Sequence, residues 1–221
     1  MKNILLINAS PHGHASHAHQ LAVELAASLH QQYPGIERVE RALGANPLPP
    51  LGSEYASALT TITPVDSPVF ELSETLIGEL ERSDVLLIAT PMHNFTLPAA
   101  LKLWIDYVLR IHRTFSSGAE GKVGLLEDRP VHVIVGSGGF HRGERARQPD
   151  FLTVYLRHAL NTMGLFNLQF TYLQGLVLGE EAVRSTLADA RAALSREPLF
   201  THLVEQPCLQ PITFSTPGVS S

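Results

Sequence analysis

Three short segments of the chain combine residue types suited to holding a flat molecule that carries a phosphate. The first, residues 10–18, places Ser10, Ser16 and His17 ahead of Ala18, where an apolar run gives way to a helical pattern. A helix that begins directly after a strand leaves its first N–H groups unpaired and its dipole positive at that end, so a phosphate is favoured there. The hydroxyls of Ser10 and Ser16 and the imidazole of His17 add side-chain donors. The lysine-bearing nucleotide P-loop signature is absent, and Ser16 equally suits an ordinary helix cap. The second segment is Pro91, Met92, His93, Asn94 and Phe95. Met92 and Phe95 offer apolar surface to a flat ring, and the backbone around Asn94 offers hydrogen bonds to ring edges. The third is Gly136, Ser137, Gly138 and Gly139, followed by Phe140 and His141. Its glycines let the backbone approach a ligand closely. It is not the dinucleotide G-x-G-x-x-G, and taken alone it equally describes a flexible turn.

None of these residues has to act as a nucleophile, and the scattered serines and histidines do not form a triad. His93 and His141 are the candidate proton donors, with water an equal source. His12, His14, His17 and His19 fall within eight residues. Such tracts can ligate metal, yet His17 and His19 stand two apart on a helix and point in different directions. No cysteine or carboxylate lies nearby in sequence. No metal is therefore expected, and the imidazoles are read as attracting a phosphate or shaping the loop.

The elements that must position these segments alternate along the chain. Residues 3–8, 84–89 and 131–135 are apolar runs of the kind found in strands buried on both faces, with weaker strands at 36–43 and 168–173. Leu21, Leu25 and Leu29 recur every fourth residue and mark a helix ended near Pro34-Gly35. Further helices are predicted around residues 70–80, from Pro98 through Val108, at 150–163 and at 180–194. Residues 44–68 carry five prolines and read as an excursion with a turn of helix near 53–59. The pattern predicts an α/β fold: a doubly wound, five-stranded parallel sheet in the order 2-1-3-4-5 with helices on both faces. Ligands of such sheets sit beyond the carboxyl ends of the strands, where all three segments fall. Trp104 and Tyr107 are expected to serve packing.

The chain has 221 residues, 44% of them hydrophobic and 17% charged, with a net charge of −5. This suits one globular domain, assigned to residues 1–197, with an extended or disordered arm at 198–221. The mild acidity argues against a nucleic-acid partner, and no run approaches the ~20 apolar residues of a membrane span. The single cysteine, Cys208, implies no oxidising compartment. A cytoplasmic location is expected.

Together the segments resemble the FMN-dependent NADH-azoreductases, which also act as quinone reductases and have a flavodoxin-like fold. The resemblance covers about residues 3–194. It rests on Ser10-x5-Ser16, on Ala45-Asn46-Pro47-Leu48-Pro49, and above all on Pro91-Met92-His93-Asn94-Phe95 with Pro98, similar to the family's P-M-Y-N-F-x-x-P. Leu101-Lys102 with Asp106, Thr114-Phe115 and Gly138-Gly139 also match. The resemblance implies a homodimer with one FMN per subunit, sites at the dimer interface, and NADH or NADPH as donor. Ser10 and residues 16–18 would hold the phosphate, Met92 to Phe95 would line the flavin ring, and Gly136 to Gly139 would contact its pyrimidine side. A ping-pong cycle on a small aromatic or quinone acceptor follows, with the donor leaving before the acceptor enters. Ala18 stands where the family often has a second serine, His93 where it has tyrosine, Ser137 where some members have arginine, and Gln174 where glutamate is common. A flavodoxin-like electron carrier, or a relative that has lost FMN, remains the alternative.

Overall fold

The computed structural model describes residues 1–203. Asn3–Asn8 (β1), Glu37–Ala42 (β2), Val85–Pro91 (β3), Val131–Gly136 (β6) and Leu168–Leu173 (β7) form one parallel sheet in the order β2-β1-β3-β6-β7. Counting only the strands of this sheet, that is the order 2-1-3-4-5. The numbering shifts because Phe115–Gly118 (β4) and Gly121–Gly124 (β5) form a separate antiparallel hairpin. The sequence analysis does not predict this hairpin: Ser116, Ser117, Gly118 and Gly121 carry little strand propensity.

Side chains alternate across the central strands and seed two apolar layers. Leu5, Ile7, Leu86, Ile88, Val133 and Val135 face a layer that includes Glu71–Arg82 (α3), Ala99–Val108 (α4) and Phe151–Met163 (α5). Ile4, Leu6, Val85, Leu87 and Ile134 face His17–Gln32 (α1) and Glu180–Leu194 (α6). Trp104 is fully buried and Tyr107 nearly so, as their expected packing role requires. The proline-containing excursion holds the short helix Ser53–Thr60 (α2). It is tied down where Tyr107 Oη donates to the carbonyl of Pro49 (2.9 Å) and where Tyr55 packs edge-on against Phe70 and Tyr107. Beside it, the buried Arg110 stacks over Phe70 at 4.4 Å. Arg110 also pairs with Glu74, which Arg113 binds through its Nε at 3.0 Å to both carboxylate oxygens.

The arm expected from residue 198 is corrected over its first residues. Pro198–Phe200 is a turn of 3-10 helix, and Phe200, 1% exposed, closes the layer under α1 and α6. Phenylalanine gains too much from burial to leave in an extended arm. Residues 204–221, Cys208 among them, lie outside the described residues.

Phe200 lies edge-on to His132 of β6, with ring centroids 5.3 Å apart. His132 Nε2 shares a hydrogen bond with Thr171 Oγ1 (2.9 Å), and burial pushes its pKa from 6.5 down to about 4. The unfolded chain takes up this proton near pH 6.5 and the folded chain only near pH 4. Stability from this site is therefore complete above about 6.5 and is lost as pH falls toward 4, a total of about 3 kcal/mol. Urea unfolding midpoints measured from pH 7.5 to 4 will show this decline, and His132→Gln will flatten it.

Candidate functional site

The parallel register carries the ends of β1, β3 and β6 to one edge of the sheet. Asn8 pairs with Ala89, and Pro91 with Gly136. The ladder continues into the loops: Ala9 N–H donates to the Ala89 carbonyl (2.9 Å), Met92 N–H to Gly136 (2.8 Å) and Ser137 N–H to Leu173 (2.8 Å). The three segments singled out in the sequence therefore begin side by side.

In the first, Asn8 Oδ1 accepts from Ser10 N–H (3.1 Å) and its Nδ2 donates to the Gly13 carbonyl (3.2 Å). This folds the loop back over the strand end. Ser10 Oγ accepts from His12 N–H (3.2 Å) and keeps its own proton to donate. Ser16 occupies the N-cap position of α1 but its side chain makes no capping bond, so the ordinary capping reading fails and its hydroxyl is left over. The first in-helix bond at this end is Gln20 N–H to the Ser16 carbonyl (2.9 Å). The N–H groups of His17, Ala18 and His19 precede it and have no in-helix acceptor. His17 Nδ1 is buried without a hydrogen-bond partner among the described residues. Ala18 is buried and its methyl faces Gly136, so its contribution here is a backbone N–H.

The second segment is a tight turn. His93 N–H donates to the Thr96 carbonyl (2.8 Å) and Thr96 N–H returns the bond (3.0 Å). Asn94 (φ 46°) and Phe95 (φ 72°) both lie in the left-handed region, as a type I′ turn requires. Asparagine tolerates this region, but a bulky residue there is a genuine outlier, the kind of local strain that gathers at ligand sites. His93, Asn94 and Phe95 are exposed while Pro91 and Met92 are half-buried. Phe151 N–H at the start of α5 donates to the Phe95 carbonyl (3.0 Å) and fixes the turn to that helix.

The third segment is clamped from β7. Gln174 Oε1 accepts from the N–H groups of His141 (2.8 Å) and Arg142 (3.0 Å). Ser137 Oγ donates to the Gly139 carbonyl (2.8 Å) and sits 3.1 Å from His141 Nδ1. A side chain on Gly138 would meet a methyl of the exposed Val177 at 2.9 Å, so glycine lets Val177 approach closely here. His141 is buried with its Nε2 unpartnered. Burial pushes its pKa down, Asp150 opposes the shift and Arg142 adds to it. At neutral pH it is an uncharged ring that can give only the N–H it already carries. Gln148, which sequence reasoning missed, bridges the loops: its Nε2 lies 3.8 Å from Met92 Sδ and its amide packs beside Gly139. No spacing rule marks it.

One edge of the sheet thus offers unengaged N–H groups at a helix start, two available serine hydroxyls, three orphaned imidazole nitrogens on His17, His19 and His141, and a strained turn with apolar side chains. That donor set suits an anion joined to a flat heteroaromatic ring, and FMN fits it. The histidine tract is corrected in one respect. A carboxylate does lie nearby, because β2 brings Glu40 Oε1 to 2.9 Å from His19 Nε2.

The family model for the flavodoxin-like fold matches residues 2–197. A Pseudomonas fluorescens protein named FMN-dependent NADH:quinone oxidoreductase 4 is 78% identical over 92% of this chain and 99% of its own length. A Burkholderia lata protein named FMN-dependent NADH:quinone oxidoreductase 5 is 50% identical over 89% of this chain and 97% of its own. Among solved structures, an FMN-dependent NADH-azoreductase from Bacillus anthracis in complex with FMN superposes with a TM-score of 0.72 at 24% identity, covering 88% of this chain and 99% of that one. That last likeness concerns the fold. Over nearly its whole described length, then, the chain belongs to the flavodoxin-like family of FMN-dependent NADH:quinone oxidoreductases.

Proposed function

We propose that the three loops hold FMN and that the protein is an NADH-dependent reductase of quinones and azo compounds. The observation that carries this reading is the meeting of unengaged helix-start donors with the Asn94–Phe95 turn at one sheet edge. It is supported by the name of the 78%-identical relative. Ser10, Ser16 and the N–H groups of His17 and Ala18 would bind the phosphate, stabilised by the dipole of α1. Pro91, Met92, His93, Asn94 and Phe95 would border the ring, and Gly136, Ser137, Gly138 and Gly139 would close its polar edge. When bound, FMN supplies the two-electron redox chemistry, taking hydride from a nicotinamide and passing electrons to an acceptor.

The chain's own part is placement. The fixed N–H groups of the turn and of the glycine loop favour negative charge at the ring edge without reorganising. Phe95, 46% exposed, and the half-buried Met92 offer an apolar border that would orient planar substrates. Donor and acceptor would use the same face in turn, which is the ping-pong order. His93 lies at the open side as the side-chain proton source; His141 at the buried side has its Nδ1–H engaged by Ser137, which leaves its Nε2 an acceptor, and water serves as an equal proton source. Phe151 and Val154, 60% and 71% exposed on α5 beside the turn, suit the interface of a homodimer whose sites adjoin it. Among the described residues no helix is long and apolar enough to cross a membrane, and we place the enzyme in the cytoplasm.

Anaerobic stopped-flow mixing of FMN-loaded protein with NADH, and then with a benzoquinone, tests the activity. Fast bleaching near ~450 nm, a property of the cofactor itself, and fast full recovery are expected. FMN binding without reduction overturns the reductase reading in favour of an electron carrier. The turn has its own test. Asn94→Gly keeps the left-handed backbone and its N–H groups, so FMN affinity should change less than about threefold. Asn94→Val forces a β-branched residue into that region and should weaken FMN at least about tenfold by fluorescence titration. Equal affinities would remove the turn's backbone from the site. Val154→Glu should shift the dimer toward monomer in light scattering.

A further inference from the structure

We propose that His14, His19 and Glu40 form a site for a divalent transition-metal ion of the zinc class, pinning the loop before α1 to the edge strand β2. Each residue offers one ligand atom, and these atoms lie within 4.8 Å of one another. They come from three different elements. His14 sits in the 3-10 turn Gly13–Ala15, His19 in the first turn of α1, and Glu40 in the middle of β2. Their meeting is a product of the fold rather than of sequence spacing.

The chemistry of the three groups is that of a zinc site: two imidazoles and one carboxylate, with water completing the coordination. His19 is the anchor. It is 3% exposed, and its Nε2 stands 2.9 Å from Glu40 Oε1. The ring's other nitrogen, Nδ1, is buried without a partner among the described residues. Without an ion the carboxylate, which only accepts, keeps the ring's proton on Nε2. A cation bound between Nε2 and Oε1 would take that proton's place, and the ring would then carry its proton on Nδ1. Glu40 is held in place as well: its second oxygen faces Arg38 at 3.9 Å, leaving Oε1 for the histidine side. His14 is the exposed member, with its ring centroid 5.0 Å from that of His19. Ligands on one tetrahedral zinc stand about 3.4 Å apart, so a small rotation of the exposed His14 ring closes the site. His17, although in the same tract, is not part of the cluster.

The consequence is structural. An ion here would tie the phosphate-side loop and the start of α1 to an edge strand that otherwise holds them through the His19–Glu40 pair. This proposal does not depend on the flavin reading, because its readouts are metal affinity and thermal stability.

The test uses the full-length, tag-free protein as purified, stripped with a chelator and titrated with zinc chloride by calorimetry. One ion per chain is expected, together with a higher melting temperature. His14→Ala and Glu40→Gln should each weaken binding at least about tenfold and abolish the thermal shift. His30→Ala, an exposed histidine at the far end of α1, should change neither. His14 is exposed, so its replacement leaves the fold intact even if Glu40→Gln does not. Absence of zinc binding, or equal binding by wild type and His14→Ala, overturns the proposal. Weakening in only one of two folded variants overturns the three-ligand assignment.

Discussion

The parallel register between β1, β3 and β6 is the constraint on which the candidate site depends. A parallel strand pair fixes which residues end together, and here Asn8, Ala89, Pro91 and Gly136 end within one ladder. A one-residue slip would turn every side chain of a strand to the opposite layer. Leu5, Ile7, Leu86 and Ile88 are buried on one face and Ile4, Leu6, Val85 and Leu87 on the other, so a slip would exchange these sets and upset the close-packed fit of both layers. The two apolar layers therefore set the positions of the loops as firmly as they hold the sheet together.

Much of this was legible in the sequence because the signal is periodic. Buried strands such as residues 85–89 are continuous apolar runs, and the Leu21-Leu25-Leu29 stripe has helical spacing. The hairpin β4–β5 was not legible, since it is four residues a side and rich in serine and glycine. Its place is decided by tertiary fit: a side chain on Gly124 would meet the backbone of Gly164 at 2.1 Å. The same holds for Phe200, whose burial depends on a space between α1 and α6 that no local pattern announces.

The site divides along the same line. Ser10, Ser16, Asn94 and the glycines are local features of loops, visible as motifs. Gln148 and Gln174 act across long sequence separations, at 56 residues from Met92 and 33 from His141, and only folding reveals them. Glu40 is the clearest instance. It lies 21 residues from His19, on a strand whose outer residues are mostly exposed, and the histidine tract gave no hint of its partner.

The Asn94–Phe95 turn closes on itself through two backbone hydrogen bonds between His93 and Thr96, neither of which uses the His93 side chain. Position 93 is thus decoupled from the architecture that supports it: the ring there projects into solvent while its own amide holds the loop shut. Such a position can exchange its side chain without unsettling the turn's two backbone bonds. It is a natural entry point for directed evolution, because a library at this one codon would leave both backbone hydrogen bonds of the turn in place.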